Sequence, residues 1–205
     1  MIMKKILIVI AFLLASACLN AQGTDLLQLI LNTGAAVKSF ESDLVNETLK
    51  TSGKNFKQSG KLYFVTNDRF AALFDTKELM IVNKNRMKID VGLFHGRFRL
   101  NEGGMMSSLS NIFLYGFQGR CQELADENDY TITIQREKDW DYVVFDNNKK
   151  RPLIGLGYKK VIFKFDREDH RIREIKLFDY KDTIDTYTIS NVKYNVKVDD
   201  KVFVF

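Results

Sequence analysis

The last third of the chain, Tyr158 to Phe205, is the stretch that most restricts the fold. Val161, Phe163 and Phe165 alternate with Lys160, Ile162 and Lys164. Asp166-Arg167-Glu168-Asp169 interrupts with charge, and then Ile175 and Leu177 alternate with Glu174, Lys176 and Phe178. Lys181-Asp182 interrupts again before a long run from Thr183 to Val198. Period-two alternation at this length requires strands with one wet and one buried face. Short polar breaks suit hairpin loops, so the stretch predicts an antiparallel meander of long, twisted strands. In the final run the apolar phase flips: Tyr187 and Ile189 are odd, whereas Val192, Tyr194, Val196 and Val198 are even. A bulge or sharp bend near Ser190–Asn191 would return both sets to one face.

A chain of 205 residues fits one domain with a sizeable core, and 16 Phe and eight Tyr suit a β-rich one. The first 21 residues are expected to be a cleaved export signal. Lys4 and Lys5 form a positive start, Ile6 to Ala17 is an apolar run too short to span a bilayer comfortably, and Ala21 is a small residue before the expected cut. The rival reading makes Ala15-Ser16-Ala17-Cys18 a weak lipobox with Cys18 lipidated. The mature domain is expected over residues 22–205, in an exported compartment. Its net charge is near +3, since two of the 31 basic residues fall in the signal against 26 acidic ones. With no basic block, nucleic acid is not an expected partner. Cys121 is then the one mature cysteine, so no internal disulfide can form, and it is expected to be a small buried apolar residue.

Thr24 or Asp25 can cap a helix running to about Lys38, with Leu26, Leu27, Leu29, Ile30, Leu31 and Val37 as a broad apolar arc. So broad an arc suits either ordinary packing on a sheet or contact with something removable. Strands are predicted over Leu44–Lys50, Phe56–Val65 with Gly60 as a candidate bulge, Arg69–Phe74, Glu78–Asn83 and Arg86–Asp90. Asn67-Asp68 marks a turn. Met105, Leu109, Ile112 and Phe113 share one face of a second helix, over 105–115. Glu123 to Asp129 reads as a polar loop, after which strands resume at Tyr130–Gln135 and Trp140–Asp146; Lys149 to Pro152 is a basic surface loop.

Catalytic constellations are not visible. His95 and His170 lie far apart without carboxylate or cysteine at metal spacing, and His170 sits in a charged hairpin tip that suggests a surface role. Gly155-Leu156-Gly157 lacks the rest of a phosphate loop, and no nucleophile elbow occurs. The expectation is a binding protein, not an enzyme, with no metal and no cofactor.

Several stretches taken in order resemble the LolA family of periplasmic outer-membrane lipoprotein carriers. Ser39-Phe40-Glu41-Ser42-Asp43-Leu44 is similar to the start of that family's first strand. Gly60-Lys61-Leu62-Tyr63 followed by Asp68-Arg69-Phe70 resembles its Gly-x-Leu and Arg-Phe pair, and Glu78 to Asn83 its next strand. Lys159 to Ile175 resembles a hairpin of the family, and Thr186 to Asn195 with Val202-Phe203-Val204-Phe205 its end. Asn67 stands where the family usually has Pro, Ala71-Ala72-Leu73 departs from the Arg-Trp-like residues that often follow Arg-Phe, and 92–121 is only loosely similar.

The resemblance implies a strongly curved, incompletely closed antiparallel β-barrel of about eleven strands, mainly β, with short helices as a lid. It also implies a monomeric carrier of lipoprotein acyl chains, working between an inner-membrane lipoprotein-releasing transporter and an outer-membrane acceptor. The alternatives are a lipid-binding or sensor module of the same fold with another ligand or protein partner, and a hydrolase assembled from isolated residues. On this reading Leu26, Leu29, Ile30, Leu109, Ile112 and Phe113 are candidate lid contacts, and Phe64, Phe70, Phe74 and Met80 candidate walls of the acyl cavity. Met105 and Met106 are candidate lip residues, since flexible thioethers suit a loosely specified apolar ligand. Arg69, at the Arg-Phe position, is the candidate gate, able to bond the carbonyls at a lid end.

Overall fold

The computed structural model describes residues 25–51, 53, 55–91, 94–100, 104–148 and 157–205. The expected export signal, Cys18, and the basic loop from Lys149 to Pro152 lie outside the described residues. Eleven strands form one antiparallel sheet in the order β6-β5-β4-β3-β2-β1-β11-β10-β9-β8-β7. They are β1 (Ser39–Leu49), β2 (Phe56–Val65), β3 (Arg69–Phe74), β4 (Leu79–Asn83), β5 (Arg86–Val91), β6 (Phe94–Arg99), β7 (Tyr130–Arg136), β8 (Trp140–Asn147), β9 (Lys160–Asp166), β10 (Ile172–Phe178) and β11 (Ile184–Tyr194). β1 and β11 pair at the middle, and the sheet ends at β6 and β7 without closing. A first helix, α1, covers 25–35. The segment between the two edge strands carries α2 (Met105–Gln118) and α3 (Cys121–Asn128).

The phase flip is resolved by a bulge. Between Asp43↔Ser190 and Glu41↔Lys193 the register shifts, so Asn191 and Val192 stand opposite Ser42 alone, and Asn191 has φ 52. Asparagine tolerates that left-handed conformation better than most residues. Tyr187, Ile189, Val192 and Tyr194 then all meet the main core. Val196 and Val198 do not follow, because the strand gives way at Asn195, which has φ 56, and Val198 joins a second, smaller cluster.

Some expectations are corrected. Gly60 is no bulge: it pairs in regular register with Leu44 and Phe74. A Cβ there would lie 2.2 Å from the Leu73 carbonyl oxygen, so glycine permits close strand approach. The polar stretch Glu123–Asp129 is largely helix α3, which buries Cys121, Leu124 and Ala125 at i, i+3 and i+4. β6 was not among the expected strands, and α1 ends at 35, short of Lys38. Asn67 and Asp68 turn with φ 70 and 60. Proline, fixed near −65°, could not occupy position 67 in this turn.

The core occupies the concave face. Alternate residues of every central strand point into it, among them Phe40 and Leu44 of β1, Leu62 and Phe64 of β2, Val161, Phe163 and Phe165 of β9, and Ile175 and Leu177 of β10. The second cluster lies on the convex face, where the final 3-10 turn, Asp200–Phe203, packs Phe203 on Ala71 and Ile81.

Candidate functional site

The concave face is filled mainly by α2. Its residues Ser107, Leu109, Ser110, Ile112, Phe113, Leu114, Tyr115, Gly116 and Phe117 are all buried, so it is enclosed nearly all round. Phe113 packs near Phe70 at 5.4 Å and meets the Tyr187 ring edge-on at 4.9 Å. Phe117 meets Phe40 at 5.2 Å, Phe64 at 5.5 Å and Phe70 at 5.9 Å. These centroid spacings and tilts are those aromatic quadrupoles favour. The helix expected to lie over the sheet as a lid is therefore embedded in it as a plug. Its outer side holds α3: the Tyr115 hydroxyl donates to Glu127 at 2.7 Å, and the Arg120 guanidinium lies over the Tyr115 ring at 4.3 Å. Burial, with that bond to Glu127, pushes the Tyr115 hydroxyl up to about 12.

α1 covers the end of the barrel formed by the start of β1, the end of β2 and the β9–β10 turn. Leu26, Ile30, Gly34 and Val37 are buried. The crossing of α1 and α2 is made backbone to backbone: a Cβ on Gly34 would sit 2.1 Å from the Gln118 carbonyl oxygen, and one on Gly119 2.4 Å from that of Ile30. Gly119 also takes φ 69 to end α2, a conformation for which glycine has no steric cost. No side-chain hydrogen bond or ion pair links α1 to another element among the described residues; the bond that Gln28 donates to Asn32 stays within the helix.

The sequence-predicted residues fall into three groups. Leu26, Ile30, Phe64, Phe70, Phe74, Met80, Leu109, Ile112 and Phe113 all converge on the one concave core. Met105 and Met106 are half-buried at the start of α2, with Met106 packed against that core. Leu29 lies to one side of the Leu26–Ile30–Gly34 line and is 43% exposed, so it faces solvent, not the sheet. Arg69 faces the other way altogether. On β3 it alternates with inward Phe70, and its guanidinium pairs with Asp200 at 2.7 Å and covers the Phe203 ring at 4.9 Å on the convex side. It does not reach the helices.

Between α1, the end of α2 and the tips of β9 to β11 lies a cavity of about 20 Å³, room for one water and not for an acyl chain. Ile30, Val37, Phe117, Ile172 and Val192 make it apolar, and His170, Arg171 and Tyr194 stand at its edge. His170, which the sequence suggested was a plain surface residue, is half-buried here with φ 52. Sequence reasoning missed Gly34, Gly119 and Arg171 at this site. A signal existed for the glycines, since Gly119 follows the second helical segment and Gly34 interrupts the first. None existed for Arg171, whose place depends on the β9–β10 turn.

At the opposite end the inward residues turn polar. The Thr48 hydroxyl donates to Asp185 at 2.5 Å and Thr76 to Gln58 at 2.7 Å, with Asn46 buried nearby on β1. Burial raises the Asp185 carboxyl above its ordinary range, opposed by the Thr48 bond. Among the described residues no group of three His, Cys, Asp or Glu could hold a metal, and no helix is long and apolar enough to cross a membrane.

Residues 120–205 match the family described as outer membrane lipoprotein carrier protein LolA. That match covers α3, the strands β7 to β11 and the C-terminal turn, a shorter span than the resemblance seen in the sequence. No curated protein matches. Among solved structures the chain is similar to an uncharacterized conserved protein from Thermus thermophilus, at 6% identity and TM-score 0.51, over 90% of this chain and 94% of that one. It is also similar to a LolA superfamily protein from Nitrosomonas europaea, at 11% identity and TM-score 0.41, over 87% and 97%. A third is the MucA/MucB complex of Pseudomonas aeruginosa, at 12% identity and TM-score 0.47, over 88% of this chain and 60% of that one. Residues 120–205 are thus LolA-like, and the eleven-stranded antiparallel sheet, curved and left open, is the fold expected from the sequence.

Proposed function

We propose that this LolA-like protein is a periplasmic carrier that shelters the acyl chains of lipoproteins against its concave face and shuttles them from the inner to the outer membrane. It is read as a binding protein and not as an enzyme, exported by residues 1–21. The observation that supports this most is how α1 is attached. The apolar end of the barrel is covered by a short helix that rests on packing and a glycine crossing, with no polar side-chain tie to other elements among the described residues.

The energetics suit a reversible exchange. An acyl chain of roughly 15 methylenes gains on the order of 12 kcal/mol if fully removed from water. Lifting α1 re-exposes Leu26 and Ile30, at about 1.5–3 kcal/mol each, and leaves their partners in need of cover. Re-exposing the helix face thus offsets part of the gain from burying the chain, which weakens the hold on the cargo and helps its release. In this reading Leu26 and Ile30 are the removable cover. Phe64, Phe70 and Phe113 become the wall, and Met105 with Met106 the pliable lip. The inner-membrane releasing transporter and outer-membrane acceptor are partners that follow from this reading.

The test is binding of the purified mature protein to a diacylated lipoprotein peptide beside the same peptide without acyl chains. Saturable binding of the acylated form alone is expected. Failure to bind the acylated form, or equal binding of both, contradicts the proposal, and the latter favours a protein-sensing module.

A further inference from the structure

The cavity beneath α1 has one side unlike the rest. Against apolar Ile30, Phe117, Ile172 and Val192 stand His170 and Arg171 of the β9–β10 turn. Each has a nitrogen sealed from solvent and without a hydrogen-bond partner: Nδ1 of His170 and Nε of Arg171. Leaving a buried polar group unpaired is costly, more so on a charged side chain, and such groups are rare enough to need a reason.

The turn is firmly built, so these nitrogens are not strays of a loose loop. The His170 amide donates to the Asp166 carbonyl at 2.9 Å, and the Arg171 amide to the Asp169 carboxylate at 3.0 Å. The guanidinium of Arg171 lies over the Tyr194 ring, 3.8 Å from its centroid. That contact positions the group over the ring, and its N–H fork makes no hydrogen bond to the described residues. The adjacent carboxylates are engaged elsewhere: Asp169 and Asp166 pair with Arg173 at 2.5 and 3.5 Å. Arg171 has no ion-pair partner among the described residues.

We infer that the His170–Arg171 turn is a headgroup subsite, which binds the anionic head of an acyl ligand, carboxylate or phosphate ester, whose chain lies beneath α1. The inference rests on the acyl-carrier reading and adds a ligand class to it. A planar guanidinium fork matches the two oxygens of either anion, and the Tyr194 ring fixes its direction before the ligand arrives. The subsite lies where a chain seated in the concave face would emerge.

The test uses the mature chain and two matched pairs of probes, below their aggregation concentrations: hexadecanoate against hexadecanol, and palmitoyl-lysophosphatidylglycerol against monopalmitoylglycerol. Within each pair the chain is the same and only the head differs. The anionic member is expected to bind about 10- to 100-fold more tightly, the range for hydrogen bonds to a charged group. Arg171→Gln is expected to bring the two members of a pair within about two-fold while the neutral member's affinity stays put. A gap confined to the first pair assigns a free fatty carboxylate, and one confined to the second a phospholipid head; either supports the subsite. Equal binding within both pairs by the unaltered protein overturns it while leaving the acyl cavity standing, and needs no variant to fold. Loss of neutral and anionic affinity alike in Arg171→Gln also overturns it. Binding of no probe overturns the subsite, and the diacylated-peptide test decides the carrier reading separately.

Discussion

Two short segments cover the two faces of one sheet, and they are fastened by different physics. On the convex face the tail places Phe203 on Ala71 and Ile81 and is then tied by polar contacts. Arg69 pairs with Asp200, Asn83 donates to the Phe203 carbonyl at 3.2 Å, and the Ser39 hydroxyl donates to the Val196 carbonyl at 2.5 Å. On the concave side α1 buries Leu26 and Ile30 as well, but it has no such ties among the described residues. Apolar packing is strong yet indifferent to what supplies the surface, whereas a directional bond is lost when its partner leaves. On the proposed reading an acyl chain can therefore replace α1, and it cannot replace the tail. α2 is a third case. It shares the apolar chemistry of α1 but is interlocked with the aromatic rings of the sheet, so it belongs to the core.

Four changes test this contrast. The largest effect is expected of Phe113→Ala, which empties a site between Phe70 and Tyr187. A loss of about 3–5 kcal/mol in denaturant unfolding is expected, and a loss under about 1 kcal/mol would mean that α2 is a loose cover like α1. Next comes Gly34→Val. Its side chain meets the Gln118 backbone and must lift α1. An apolar fluorophore should gain access to the concave face, with a cost of a few kcal/mol from re-exposing Leu26 and Ile30; unchanged dye binding would show that the crossing tolerates bulk.

Arg69→Met should matter less. Asp200 is largely exposed, and exposed pairs contribute about 0–1 kcal/mol. The expected sign is frayed amide protection over 199–205 with a nearly unchanged midpoint. If Arg69→Met instead loosened α1, the gate role expected from the sequence would return.

The smallest effect concerns pH. Asp185 is held protonated to higher pH when folded than when unfolded, through burial. The folded state then binds more protons across the window from the ordinary carboxylate value up to the raised one, so stability falls as pH rises through it. Asp185→Asn should flatten that part of the stability-versus-pH curve. A steeper decline would mean that the carboxylate is stabilised in its charged form.

What could be read in the sequence was whatever alternation carries. The β8 to β11 meander, the strands from β2 to β5 and the bulge at Asn191 all follow from apolar phase. The edge strand β6 was missed although Phe94 and Phe98 alternate with His95, Arg97 and Arg99, because the cations outweighed two aromatics. α3 was missed because Cys121, Leu124 and Ala125 are few among acids and amides. The aromatic and aliphatic cavity candidates were legible as a set, since each is apolar on the inward face of its element. Their roles were not. Whether Leu29 points in or out depends on the exact roll of α1, and the side of the sheet that Arg69 takes is set by pairing register. Arg171 was hidden for another reason: its meaning comes from Tyr194 and α1, which lie far from it in sequence.

The contrast between the two covers is tested most directly by amide hydrogen exchange on the mature protein, alone and saturated with a diacylated lipoprotein peptide. Residues 25–35 should lose protection when the acyl chains bind, while the amides of α2 and of 199–205 keep theirs. Saturation with α1 still fully protected would contradict the exchange of helix for acyl chain, and place the ligand elsewhere on the molecule.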